Sequence, residues 1–199
     1  MTLAEVTAAT PWIPRWHDHG PCMDRRHILW LHDILAATGV QRTLEIGTHT
    51  GASASAFIAA NVSDAQFADP SMTAEALSVI RGRGTFHQAR GCDVLLAQPA
   101  YELVLVDGNH AMEAVCEEIL VLLKKPPAII VGHDVSSTAA GFAHCEGAAY
   151  LWEALLHDGW DCIVDNAKRD GEMTHRGMLV ATKDQRLKAL VTGAWDRIR

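Results

Sequence analysis

From residue 24 to 38 apolar side chains return at helical spacing, with Ile28, Leu31, Ile34 and Leu35 on one face and Gly39 following as a stop. That pattern predicts one amphipathic helix ahead of the first strand. Beyond it the period changes repeatedly. Short runs at 43–46, 65–69, 85–88, 103–106 and 128–131 read as strands, and stretches with helical spacing or small residues at 52–60, 73–80, 92–97 and 111–123 separate them. Another helix carries Ala148, Leu151, Trp152 and Leu155 at core spacing. Alternation of this kind predicts a parallel sheet with helices on both faces. The ending differs: 161–164 and 177–182 read as strands with no helix between them, and 168–176, with Asp170 and Gly171, reads as a hairpin loop. The expected fold class is therefore α/β, a doubly wound, mostly parallel sheet closed by a C-terminal antiparallel hairpin. A last apolar face through Leu190, Val191 and Trp195 is interrupted by Gly193 and suits packing on the chain's own sheet or on a second copy, so a homo-oligomer stays open.

No repeat or Gly/Ser linker divides the 199 residues, which suits a single domain, with 1–23 as an irregular N-terminal arm and 24–199 as the core. Acidic and basic residues are interspersed at a net charge of −7, which argues against a nucleic acid partner because no basic stripe is available to neutralise phosphates. No apolar run approaches the ~18–20 residues that cross a bilayer, so no membrane partner is expected. Residues 1–14 lack a basic region followed by an apolar run, and the five cysteines are odd in number and scattered. A cytoplasmic protein with reduced thiols is expected.

Two segments carry candidate chemistry. The first is Thr43-Leu44-Glu45-Ile46-Gly47-Thr48-His49-Thr50-Gly51, an E-x-G-x-x-x-G pattern directly after a strand and before a helix. Glycines there let the backbone turn sharply and leave room for a ligand at the carboxyl end of the strand, where open α/β sheets bind small molecules. The spacing is not the G-x-G-x-x-G that serves a pyrophosphate. A plain tight turn is the alternative. The second segment is Leu103-Val104-Leu105-Val106-Asp107-Gly108-Asn109-His110, which pairs naturally with Ile129-Ile130-Val131-Gly132-His133-Asp134. Adjacent parallel strands put Asp107 and Asp134 at one edge of the sheet.

With these motifs in place, residues 24–182 resemble the class I, Rossmann-like S-adenosylmethionine-dependent methyltransferases. The D-G-x-H and H-D motifs further resemble a bacterial subgroup of small-molecule and sugar O-methyltransferases. The resemblance implies that Glu45, Gly47, Thr48 and Gly51 flank the methionine part of the cofactor and that Asp107 lies by its methyl group. It implies that Asp69, in Phe67-Ala68-Asp69-Pro70, holds the ribose hydroxyls, as a carboxylate can accept from two vicinal donors. A turn acid before Pro70 is the alternative. Asp107, His133 and Asp134 become a candidate divalent-metal set, for Mg²⁺ or, since an imidazole stands where related sugar enzymes carry a second acid, Mn²⁺. His110 becomes the candidate catalytic base for a hydroxyl of a small-molecule acceptor. In the alternative, His133 only hydrogen-bonds the loop and no metal binds.

Two rival classes remain open at this point: a metal-dependent oxygenase or hydrolase built on Asp107, His110, His133 and Asp134, and a non-catalytic cofactor-binding module. Only the methyltransferase requires the sulfonium cofactor. Trp12, Trp16 and Met23 suit a lid over the site, while His17, His19 and Cys22 lack the paired spacing of a metal cluster. The small-residue loop 136–146, with Phe142 and His144, is the other candidate for substrate contact. No G-x-S-x-G elbow or P-loop is present.

Overall fold

The computed structural model describes residues 4, 8, 23–71, 73–135, 145–166 and 176–198. Elements run α1 (Arg25–Thr38), β1 (Arg42–Ile46), α2 (Ala54–Ala59), β2 (Asp64–Ala68), α3 (Ala74–Ile80), β3 (Thr85–His87), α4 (Gly91–Ala97), β4 (Leu103–Val106), α5 (Met112–Lys124), β5 (Ile129–His133), α6 (Glu146–His157), β6 (Asp161–Asp165), β7 (Met178–Thr182) and α7 (Gln185–Ile198). The strands form one sheet in the order β3-β2-β1-β4-β5-β7-β6. β1 to β5 are parallel, and β7 runs antiparallel to both β5 and β6. The mostly parallel sheet with its closing hairpin is as the pattern predicts. The last strand slots between β5 and β6, which leaves β6 at the edge.

Period-two alternation sorts the strand residues between two cores. Leu103, Leu105, Ile129, Val131, Met178 and Val180 face α1, α2, α3 and α7, whereas Val104, Val106, Ile130, Leu179 and Ala181 face α4, α5 and α6. On α1, Ile28, Leu31, Ile34 and Leu35 are buried, each contributing about 1.5–3 kcal/mol on full burial. The helix ends where Gly39 takes φ +68° and its N–H bonds the Leu35 carbonyl. Trp195 of α7 packs on Trp30 of α1 at 4.6 Å between ring centroids, so the tail's apolar face lies on its own chain. No helix among the described residues is long and apolar enough to cross a membrane.

One boundary difference matters for the site. β5 extends to His133, two residues past the 128–131 pattern, because Gly132 and His133 pair with Leu179 and Met178 of β7. His133 therefore belongs to a buried strand rather than to the loop after it. Trp12, Trp16, His17, His19 and Cys22 of the arm, Phe142 and His144 of the substrate loop, and hairpin residues 168–175 lie outside the described residues. Met23 is described: it is buried in the α1-side core and reaches the cleft described next.

Candidate active site

Strand order reverses between β1, which turns outward to β2, and β4, which leads to β5. Such a switch point opens a crevice at the carboxyl edge. The chain leaves β1 at Gly47, with φ +88°, and its N–H donates to the Ala68 carbonyl at 2.8 Å. The Asp107 N–H donates to the Ile46 carbonyl at 2.9 Å. These bonds draw the ends of β1, β2 and β4 together. A Cβ on Gly47 would stand 2.2 Å from the Asp107 carbonyl oxygen and 2.4 Å from Gly108 Cα. Gly47 is thus demanded first by the neighbouring backbone, a stronger reason than the ligand space that the sequence suggests. Gly51 takes φ +82° where the turn passes α3, and a Cβ there would sit 3.0 Å from Ala76 Cα.

The crevice is a cleft of about 600 Å³ walled by Gly47, Thr48, Asp69, Asp107, His110 and Asp134 among others. Glu45 lies fully buried beneath it, one residue before the strand's end. One of its oxygens accepts from the Ser53 hydroxyl, and Oε2 is buried with no hydrogen-bond partner. Burial, reinforced by the charges of Asp107 and Asp69 and opposed by Ser53, pushes its carboxyl up to about 8. Asp69 follows β2, where its Oδ2 accepts from the His49 N–H at 2.9 Å and Oδ1 from the Ser71 N–H at 2.8 Å. It therefore acts as a turn acid while facing the cleft.

At the other wall His110 Nε2 lies 3.1 Å from Asp134 Oδ2 and 4.0 Å from Asp107 Oδ1. Asp134 itself holds φ +57°, a left-handed conformation that a short polar side chain tolerates, and Arg176 Nη1 stands 3.6 Å from its Oδ2. Burial raises the Asp134 carboxyl, but the His133 charge, the His110 hydrogen bond and Arg176 outweigh it and hold the group at about 2. Burial lowers His110, yet its hydrogen bond to Asp134 and the Asp107 and Asp134 charges prevail and raise it above 6.5. His133 is buried behind this group. Its Nδ1 lies 3.1 Å from Asp107 Oδ1 and its Nε2 lies 3.2 Å from His27 Nδ1. Burial opposes charge there, but Asp107 and Asp134 bring it up to about 9.

Residues 44–135, from β1 through β5 and so including every strand end that walls the cleft, match the family described as a methyltransferase domain. Residues 44–135, 92 of the chain's 199, thus resemble a methyltransferase domain. Of the three classes that the sequence leaves open, this match supports the first. No curated protein sequence is significantly similar to this one. Among solved structures, an O-methyltransferase from Bacillus cereus in complex with SAH is 15% identical, with a TM-score of 0.69 over 91% of this chain and 90% of that one. TomG from Streptomyces achromogenes, an O-methyltransferase involved in tomaymycin synthesis and solved with SAM, is 20% identical, with a TM-score of 0.64 over 90% and 88%. Precorrin 8w decarboxylase from Methanobacterium thermoautotrophicum is 15% identical, with a TM-score of 0.56 over 82% and 92%. These likenesses establish the fold. A decarboxylase among them shows why the reaction has to be argued from the side chains.

At this cleft three ligand-competent side chains, Asp107, His110 and Asp134, bring one donor atom each within 4.8 Å of the others. His133 stands outside that set, with both ring nitrogens turned to protein partners. Several residues at or behind the cleft escape sequence reasoning. Glu118 lines it from α5, with one buried oxygen lacking a hydrogen-bond partner and a carboxyl pushed to about 7 mainly by burial. Its signal is faint: an acid beside Val115, Ile119 and Leu122 on the apolar stripe. Arg176 reaches the cleft from just ahead of β7. His27 is reachable only as a histidine on the face of α1 that carries Leu31 and Ile34.

Proposed function

We propose that the chain transfers a methyl group from S-adenosylmethionine to a hydroxyl of a small molecule, with His110 as general base. The observation that carries this reading is the 3.1 Å contact between His110 Nε2 and Asp134 Oδ2 on the wall of the cleft above the glycine turn. With Nε2–H given to Asp134, Nδ1 keeps the lone pair that accepts the acceptor's proton, and the carboxylate stabilises the imidazolium formed. S-adenosylmethionine supplies an electrophilic methyl on sulfonium sulfur. About 600 Å³ suits a ligand of that size. Glu45, Gly47, Thr48 and Gly51 would hold its amino-acid end, where the unpartnered Glu45 oxygen awaits a donor, and Asp69 its ribose hydroxyls.

Two carboxylates and an imidazole also fit a divalent cation. Asp107, His110 and Asp134 would hold it, and the imidazole favours Mn²⁺ over Mg²⁺. Such an ion lowers the pKa of a coordinated hydroxyl. His110 cannot give Nε2 to a metal and to Asp134 together, and Arg176 already supplies positive charge beside Asp134. The four described cysteines are free thiols, which suits the reducing cytoplasm. An acidic chain without a basic stripe fits a small-molecule acceptor better than a nucleic acid.

Isothermal titration in excess EDTA tests the reading. S-adenosylmethionine should bind and NAD should not; absence of sulfonium binding with and without Mn²⁺ would sink it. Turnover that survives chelation assigns the proton transfer to His110 alone, whereas turnover lost to EDTA and restored by Mn²⁺ assigns a role to the metal set.

Glu45 makes a separate, pH-dependent prediction. Its carboxyl is protonated at neutral pH in the free protein, and the ligand's ammonium group favours the carboxylate, so binding releases a proton. Affinity should then rise with pH up to about 8 and level off above it. Stability moves oppositely: a folded pKa above the unfolded 4.5 stabilises the chain below 4.5, and this contribution is lost as pH climbs through about 8. Glu45→Gln should abolish the pH slope of binding while raising the melting temperature at pH 9, where the wild-type carboxylate is buried and charged. A variant with the wild-type slope would show that Glu45 does not meet the ligand.

A further inference from the structure

β5, β7 and β6 lie side by side, and one row across them reads His133, Met178, Asp165. Paired residues in a row point to the same face of a sheet, and Met178 faces the α1 core. His133 and Asp165 therefore rise from that face two strands apart, about 9–10 Å, with a methionine between them. His27 of α1 fills the span. Its Nε2 lies 3.1 Å from Asp165 Oδ2, and its Nδ1 lies 3.2 Å from His133 Nε2. The two rings meet edge to face at 5.3 Å. His133 Nδ1 then lies 3.1 Å from Asp107 Oδ1 at the cleft. His27, His133 and Asp165 are all almost wholly inaccessible to solvent.

We propose that His27 is a positioning residue of the methyltransferase site: through His133 it fixes the Asp107 carboxylate at the cleft edge, by a buried chain Asp165–His27–His133–Asp107.

Three hydrogen bonds in series need three protons. The terminal carboxylates accept only, so the four ring nitrogens must carry all three, which is one more than two neutral imidazoles hold. Arg26 Nε meets Asp165 from the outside at 2.7 Å and stands 3.5 Å from His27 Nε2. Breaking the chain at His27 strips His133 Nε2 of its partner in a buried setting, where an unmade hydrogen bond is costly and where the Asp24 carboxylate, with Oδ2 3.6 Å from His27 Nδ1, is a further polar group beside the histidine pair. His133 can then swing, because Asp134 Oδ1 lies 3.5 Å from its Nδ1, only slightly farther than Asp107. Asp107 loses its fixed orientation against Asp134 and His110. The glycine turn, Glu45 and Asp69 are untouched by such a change, so the defect belongs to turnover rather than to cofactor binding.

The kinetic consequence rests on the proposed methyl transfer, but the hydrogen-bond chain does not. In wild-type protein with ¹⁵N-labelled histidine, a scalar coupling across the N–H···N bond should join His27 Nδ1 to His133 Nε2. In His27→Phe, which keeps a ring of similar size, the Asp107 carboxyl ¹³C resonance, assigned by its loss in Asp107→Asn, should shift. Turnover of 3,4-dihydroxybenzoate as probe acceptor, read as S-adenosylhomocysteine release, should fall about 10–100-fold with S-adenosylhomocysteine affinity unchanged, the usual worth of a residue that orients a site carboxylate or histidine. His27→Asn, whose side-chain amide can meet His133 Nε2, should recover part of the rate. Absence of the wild-type coupling overturns the proposal whether or not any variant folds. A folded His27→Phe with the wild-type Asp107 resonance overturns it as well. A wild-type protein that neither binds S-adenosylmethionine nor turns over the probe overturns the functional reading instead, and the two NMR measurements still decide this one.

Discussion

His110→Ala should lower methyl transfer on the order of 10²–10⁴-fold, the range for a positioned general base, while S-adenosylmethionine binds nearly as before. The second half follows from position. His110 sits beyond β4, three residues after Asp107, and contacts Asp134 just past β5, whereas the glycine turn and Asp69 follow β1 and β2. Asp134→Asn should produce a defect of similar size, because a neutral amide lacks the negative charge that stabilises the imidazolium. The pH profile carries a further signature. A base works only when neutral, and His110 is raised above 6.5, so turnover should climb with pH through a pKa above that value. In Asp134→Asn the climb should move to lower pH, since the carboxylate that raises His110 is gone. Wild-type turnover in His110→Ala would leave the fold standing and remove the base from this histidine.

Gly47→Ala should be damaging well out of proportion to the single methyl added. Its Cβ would overlap the Asp107 carbonyl at 2.2 Å and the Asp107 carbonyl carbon at 2.5 Å, both backbone atoms that cannot rotate away, and φ +88° is itself unfavourable for any side chain. Relief requires separating the ends of β1 and β4, which breaks the Asp107 N–H bond to Ile46 and moves Asp107 out of the site. A loss of roughly 3 kcal/mol or more is expected, a fall in melting temperature on the order of 10 °C for a chain of this size, together with loss of S-adenosylhomocysteine binding. Gly51→Ala is the internal control: its φ is as strained, but the approach to Ala76 is 3.0 Å and α3 can yield, so a smaller loss of about 1–2 kcal/mol is expected. Equal melting temperatures for Gly47→Ala and wild type would show that the turn does not depend on this contact.

The sequence by itself determined the class of fold and the edge of the sheet at which the candidate site residues gather. Both are local signals: apolar runs of period two or 3.6 are written within a few residues, and the acids and glycines that follow a strand gather at one edge once the strands are parallel. Glu45, Gly47, Thr48, Asp69, Asp107, His110 and Asp134 could be picked out because each lies within four residues of a strand end. Tertiary structure decided the rest. His133, a candidate metal ligand just past the 128–131 pattern, is paired by β7 and held in the sheet, a contact made by a segment 45 residues away. His27 and Asp165 meet across 138 positions, and Glu118 and Arg176 enter the cleft from a helix stripe and from the approach to β7. Gly47, singled out for ligand space, is demanded by the backbone that follows β4. A local pattern fixes which side of its own element a residue occupies; which distant element arrives to cover that side, and whether it brings a methyl group or an imidazole, is settled only when the sheet is assembled.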